Sequence, residues 1–131
     1  MNVVDSSAWL EYFAEGPNAS FFAAAIEDKK QLIVPTICLY EVFKSILRQA
    51  GKKEALEKTT AMRQGLVVDL TTSLSFKAAS LSLKHRLPMA NSIILATAKS
   101  HGARIWTQDA DFEGLPDVKY RSKAPQKKSN S

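Results

Sequence analysis

Four short apolar runs punctuate this chain: Val3-Val4, Leu32-Ile33-Val34, Leu66-Val67-Val68 and the segment from Arg104 to Thr107. Each is too short for a helix, and stretches of helical period separate it from the next. Short strands that are apolar throughout belong in a parallel sheet whose crossover helices cover both faces. The elements can be placed on that basis. Asn2 to Asp5 reads as a strand, with Ser6 or Ser7 capping a helix through Phe13. Gly16-Pro17 breaks the chain, and Asn18 to Asp28 forms a second helix. Pro35-Thr36 starts a long helix to Ala50, with Leu39, Val42, Phe43 and Ile46 sharing one face. Gly51 ends it, and Lys52 to Gln64 forms another. Thr71 or Thr72 caps a helix to Arg86, and Pro88 opens one that Gly102 closes. Val118-Lys119-Tyr120 is the candidate for a fifth strand.

A chain of 131 residues suits one domain. A domain of that size buries roughly two-thirds of its unfolded surface. Its longest unbroken apolar stretch, Phe21 to Ile26, cannot cross a bilayer. The N-terminus runs straight into a strand with no basic leader, so the expectation is a cytoplasmic protein without a membrane partner. The single Cys38 cannot form an internal disulfide, and His85 and His101 lack zinc-site spacing. The net charge of +5 has a location. All 13 acidic residues lie at or before Asp117, while Lys119, Arg121, Lys123, Lys127 and Lys128 follow Val118. The body is neutral and the excess sits at the C-terminal end. We therefore divide the chain into a domain over residues 1–120 and a basic flexible tail over 121–131. Such a tail either adds affinity for nucleic acid or is merely solvated.

Polar residues recur beside the apolar runs. NVVDSSAW contains Asp5, LYEVFK contains Glu41, LPMANSIILATA contains Asn91, and WTQDADF contains Thr107, Asp109 and Asp111. In open α/β sheets, sites form beyond the carboxyl ends of the strands where strand order reverses. Asp5 ends the first strand and Asp109 lies just past the fourth, so neighbouring strands would put both carboxylates at one edge. Each residue also has a plainer reading. Asp5 could cap a helix, Glu41 could be an exposed glutamate, and Asp109 and Asp111 could be turn residues. Asn91 resists such a reading, because the helix around it is almost wholly apolar and a buried amide needs partners.

Together, in this order and spacing, the four runs resemble the PIN-domain family of metal-dependent ribonucleases, most closely its VapC-type toxins. The similarity covers roughly residues 2–120. The resemblance implies an α/β three-layer sandwich, its central parallel sheet ordered 3-2-1-4-5. It also implies a site built from Asp5, Glu41, position 91 and Asp109, with Asp111 as a less constant member and Thr107 as an ordering hydroxyl. The implied cofactor is Mg²⁺, with Mn²⁺ as a substitute. Mg²⁺ takes about six oxygen ligands and keeps several waters, which suits carboxylates and substrate phosphates. The chain departs from the family at Asn91, where the family ordinarily has aspartate. An amide brings no charge, so metal affinity and water activation should both fall. The asparagine is either natural to a weakened member or an engineered change, and a single departure in an otherwise intact set favours the second.

Lys44, Arg48 and Lys52 follow Glu41 at near-helical spacing and could contact phosphates, or form an ordinary solvated face. The resemblance further implies a cognate antitoxin, an RNA substrate and a homodimer. Trp9, Tyr12, Phe13, Phe21 and Phe22 form an aromatic cluster, part of which could receive the antitoxin. The leading expectation is a Mg²⁺-dependent endoribonuclease toxin, impaired by Asn91. The alternatives are a non-catalytic PIN scaffold binding RNA or a protein, and a phospho-acceptor signalling domain. The last ranks lowest, because the adjacent acidic pair near the start and the lysine after the last strand that it calls for are missing.

Overall fold

The computed structural model describes residues 1–124. Its strands are β1 (Asn2–Val4), β2 (Leu32–Pro35), β3 (Leu66–Val68), β4 (Arg104–Thr107) and β5 (Val118–Tyr120). Between them run α1 (Ser6–Phe13), α2 (Ala19–Ile26), α3 (Thr36–Ala50), α4 (Lys52–Met62), α5 (Thr72–His85) and α6 (Met89–Ser100). Single 3-10 turns stand at Lys29–Gln31 and Ala110–Phe112. All strand pairs are parallel, in the order β3-β2-β1-β4-β5. The sheet and its order match the expectation.

Burial explains why the strands carry no alternating pattern. Successive strand residues face opposite sides, yet Val3 and Val4, and Leu32 through Val34, are all buried. Both faces are therefore covered. On β1, α2 packs against one part of the sheet and α6 packs across β1, β2 and β4. Helix α6 is buried at every position from Asn91 to Ala98, which accounts for its lack of an amphipathic stripe. The exposed strand positions are Leu66 and Lys119 on the two edge strands and Arg104 at the start of β4.

Two local expectations are corrected. Neither Ser6 nor Ser7 caps α1; Asp5 does, its carboxylate accepting the Ala8 N–H at 3.1 Å. A carboxylate outcompetes a hydroxyl at this position, since it is charged and lies where the N–H donors and the positive end of the helix converge. Helix α2 covers Ala19–Ile26, shorter at both ends than expected, because the chain turns at Glu27 and Asp28 into the 3-10 turn before β2. Thr71 caps α5 as one of the two expected candidates, accepting from Leu74 N–H.

Beyond β5 the backbone continues its ladder for one step, with the Arg121 N–H donating to the Thr107 carbonyl at 3.0 Å. The Asn18 side chain then donates to the Ser122 carbonyl at 3.0 Å. The rest of the expected tail, residues 125–131 with Lys127 and Lys128, lies outside the described residues.

One glycine carries the approach of α4 to the sheet. A Cβ at Gly65 would lie 2.9 Å from the Leu32 carbonyl oxygen and 3.0 Å from Leu32 Cγ and Val34 Cγ2. The neighbours are strand backbone and buried side chains, so they cannot yield cheaply. Gly65→Ala should cost about 1–3 kcal/mol by overpacking. Urea unfolding of the purified chain measures it, and an unchanged midpoint would show that the β2–β3 junction is slack.

Candidate active site

The edge formed by the carboxyl ends of β1 and β4 is where strand order reverses, and it gathers most of the singled-out residues. Asp5 follows Val4 directly, so the central strand of the sheet delivers it into a place with little water; it is 2% exposed. Ser7 Oγ donates to both its oxygens, at 2.9 and 3.1 Å, beside the Ala8 N–H. Burial pushes the Asp5 carboxyl up to about 6, with a small further push from Asp109, against the pull of hydrogen bonds from Ser7, Ala8 and Thr107. Burial wins. Displacement from 3.8 to about 6 is roughly 3 kcal/mol against the ionised form.

Glu41 reaches the same region from α3. It is half-buried and accepts a 2.6 Å hydrogen bond from Ser6 Oγ, the residue next to Asp5. Ser6 and Ser7 are not the helix caps their residue type suggests. Their actual work is to hold two carboxylates, and their position against an acid at a strand end was the available signal. Thr107, fully buried at the end of β4, accepts the Asp109 N–H at 2.9 Å as well as bonding Asp5. Asp109 in turn caps the 3-10 turn by accepting the Asp111 N–H at 2.9 Å. Gln108 is buried between them and anchors elsewhere, accepting from Asn18 Nδ2 at 3.1 Å.

Asn91, 9% exposed, stands on the first turn of α6. Its Nδ2 lies 3.2 Å from an oxygen of Asp109 and 3.2 Å from an oxygen of Asp111. Ionised carboxylates only accept, so the amide must turn its two-proton side to them. Thus Asn91, Asp109 and Asp111 are in direct contact, Thr107 links Asp109 to Asp5, and Ser6 ties Glu41 alongside.

The donor atoms are all oxygens, the chemistry a hard divalent cation prefers. The arrangement nonetheless stops short of a cage: among the described residues no three His, Cys, Asp or Glu side chains converge as a metal group. The Asn91 NH₂ is directed at Asp109, one of the acids that a cation would need, and at Asp111 beside it. The carboxylates fit a cation by type, and the amide orientation does not.

The other candidates are placed differently. Lys44 and Arg48 are exposed on α3 and Lys52 on α4; the Lys44 ammonium sits 5.6 Å from the Tyr40 ring centroid. Within the aromatic cluster, Trp9 and Phe22 are fully in the core and unavailable to a partner. Tyr12 and Phe13 border an open cavity with Lys58 and Glu27. Cys38 is buried beneath Ser6, and burial pushes its thiol up, so it is inert.

Asp5 sets a stability signature of the metal-free chain. The folded carboxyl holds its proton longer than the unfolded one. Its penalty is therefore absent below pH 3.8, grows as pH rises to about 6, and is complete above that. Asp5→Asn keeps a capping side chain and removes the charge. In chelator at neutral pH it should raise stability by about 1–3 kcal/mol and flatten the loss across that acidic range. Thermal melts against pH decide this, and a less stable Asp5→Asn would mean that the ionised carboxylate is net favourable.

The protein-family model for the PIN domain matches residues 3–118. No curated protein sequence matches the chain significantly. Among solved structures, a toxin-antitoxin complex from Klebsiella pneumoniae superposes with a TM-score of 0.76 at 20% identity, covering 90% of this chain and 95% of that one. VapC20 of Mycobacterium tuberculosis, described as a sarcin-ricin loop cleaving toxin, gives 0.74 at 19% identity, with 90% and 97% covered. DNA-bound VapBC from Salmonella typhimurium gives 0.71 at 12% identity, with 92% and 96% covered. At these identities the structures share the fold, and the family match extends over nearly the whole chain: it belongs to the PIN-domain family.

Proposed function

We propose that this chain is a metal-dependent endoribonuclease of the toxin type, with residues 1–120 as its nuclease domain, impaired by Asn91. One observation carries the reading. At the switch point of a PIN fold, buried and half-buried carboxylates are held in place by dedicated hydroxyls, and the only uncharged member, Asn91, bonds the pair Asp109 and Asp111. Structural carboxylates on a surface need no such holding. The similar structures described as toxins and toxin-antitoxin complexes support the assignment, including a cognate antitoxin as partner; a cytoplasmic setting belongs to the same reading. Among the described residues no helix is long and apolar enough to cross a membrane. A homodimer is part of the same reading.

Asp5, Glu41 and Asp109 would hold Mg²⁺ or Mn²⁺, with Asn91 able to offer at most a neutral oxygen. When bound, such an ion supplies an acidified water and compensates charge on the scissile phosphate. The protein's own share is positioning. Ser6 engages Oε1 of Glu41, while Ser7, Ala8 N–H and Thr107 fix the plane of Asp5. Lys44, Arg48 and Lys52 offer phosphate contacts on the α3 side. A second reading, a non-catalytic scaffold for RNA or protein, is favoured by the same amide, which satisfies Asp109 and Asp111 without any ion.

Asn91→Asp separates the two. The change is nearly isosteric, and it turns two hydrogen bonds into two repulsions. Without metal the variant should lose roughly 2–3 kcal/mol, since bonds to charged groups are of that size. With Mg²⁺ or Mn²⁺ it should gain RNase activity, stability and toxicity on expression, as the ion binds the folded state alone. An aspartate form that is inert with either ion hands the protein to the scaffold reading.

A further inference from the structure

The basic excess beyond Val118 is organised, and it leads to the acidic edge. Lys119 and Arg121 are two residues apart on the edge strand and its extension, so they share one face. Each lies over an aromatic ring: the Lys119 ammonium is 4.7 Å from the Trp106 centroid, and the Arg121 guanidinium is 4.2 Å from that of Phe21. The two rings touch, with centroids 5.2 Å apart. A continuous ladder of cation, ring, ring and cation thus runs up the β4–β5 side of the sheet. Cations seated on ring faces are ordered without using their hydrogen-bond donors, which remain available to an anion.

The ladder extends one step further. Lys123, two residues on and past the strand, lines a cavity of about 440 Å³ together with Ser7 and Gln108, the neighbours of Asp5 and Asp109, and with Glu11 and Glu54 across it. Its position is built in. The Arg121 N–H to Thr107 carbonyl bond and the Asn18 to Ser122 bond, each 3.0 Å, fix the two residues that lead into it. Because β5 is parallel to β1 and β4, the row from Lys119 to Lys123 points toward the acidic edge.

We infer that Lys119, Arg121 and Lys123 form a track that carries successive phosphates of single-stranded RNA toward the Asp5–Asp109 edge. The inference rests on the ribonuclease reading for its destination. Along a strand, alternate residues are about 6.6 Å apart, a spacing comparable to that of phosphates in an extended single strand. The acidic cluster repels a polyanion, so its approach needs fixed cations within a Debye length, about 8–10 Å. Stacked, ordered cations meet that need with little further loss of side-chain freedom.

The test is the salt dependence of binding of a labelled oligouridine to the full chain in chelator, read by fluorescence anisotropy. The variant K119Q/R121Q/K123Q should weaken binding at least ten-fold at low salt. Its log–log salt slope should fall by about two, since each single-strand phosphate contact contributes about 0.7. K29Q/K30Q/K84Q removes the same charge from exposed sites elsewhere and should leave the slope unchanged. K119R/R121K/K123R should restore binding. Lys123 is not seated on a ring, so Lys123→Gln alone should lower the slope by about 0.7 even if the triple variant folds poorly. Equal losses in both triple variants would overturn the track and leave the RNA reading intact. So would an unsubstituted chain that fails to bind oligouridine while Asn91→Asp cleaves RNA. Failure of both binding and cleavage would remove the ribonuclease reading, and the track with it. Polyglutamate competing as well as oligouridine would assign the row to an acidic protein segment instead.

Discussion

A carboxylate placed at the end of the central strand governs the whole functional edge. β1 is central in the sheet and covered on both faces, so whatever follows Val4 emerges into a region almost without water. An unpartnered charge there would cost far more than the fold could recover. The chain answers with the first turn of α1, the Ser7 hydroxyl and Thr107, and Asp5 still holds its proton more tightly than an exposed aspartate. These partners come from α1 and from β4. Satisfying one charge therefore locks the helix start and the neighbouring strand end into one geometry, and Thr107 passes that order on to Asp109.

The amide of Asn91 plays the complementary part on the other side of the edge. α6 is buried from Asn91 to Ala98, so its first turn is held rigidly by packing and the residue at position 91 must face Asp109 and Asp111. Two N–H donors shared between two carboxylates provide part of what a cation would. Hydrogen bonds of this kind are weaker than ligation, yet they need no ion and are present as soon as the chain folds. The metal-free fold is made more stable by the same group that subtracts charge from the site, so stability and activity are set in opposition at one position.

Much of the fold was legible because its elements are locally consistent. The apolar triplets, Gly51, Gly102, Thr71 and the stripe on α3 each point to one structure, and strand order came from the family resemblance. The errors were at termini. Asp5 took the cap expected of Ser6 or Ser7, because capping preference alone does not know that a carboxylate is already present. The candidate site was legible as a set of residue types, and its connections were not. Nothing local to Ser6 announces a partner 35 residues away at Glu41, and nothing in α6 tells which way the Asn91 amide turns. Those depend on the sheet bringing distant segments to one edge. The aromatic cluster misled for a related reason: composition counted its rings, while the packing of Trp9 and Phe22 into the core decided which remained at the surface.

Charge placement rather than charge total decides how this edge meets another molecule. The chain is +5 overall, but its residues up to Asp117 are neutral, so from a distance its body neither attracts nor repels a polyanion. Beyond about 8–10 Å physiological salt screens exposed charges, and only groups near the edge can act on what arrives there. The edge contains acids that would repel a phosphate and, along β5, cations that would draw it in. Packing keeps them distinct. Asp5 is buried and Glu41 and Asp109 are half-buried among hydroxyls and an amide, while Lys119 and Arg121, both exposed, stand on the rings of Trp106 and Phe21. The aromatic side chains that close the core on that face are thereby the support for its cations. A substitution at Trp106 or Phe21 would disturb the electrostatics of the surface as well as the packing beneath it.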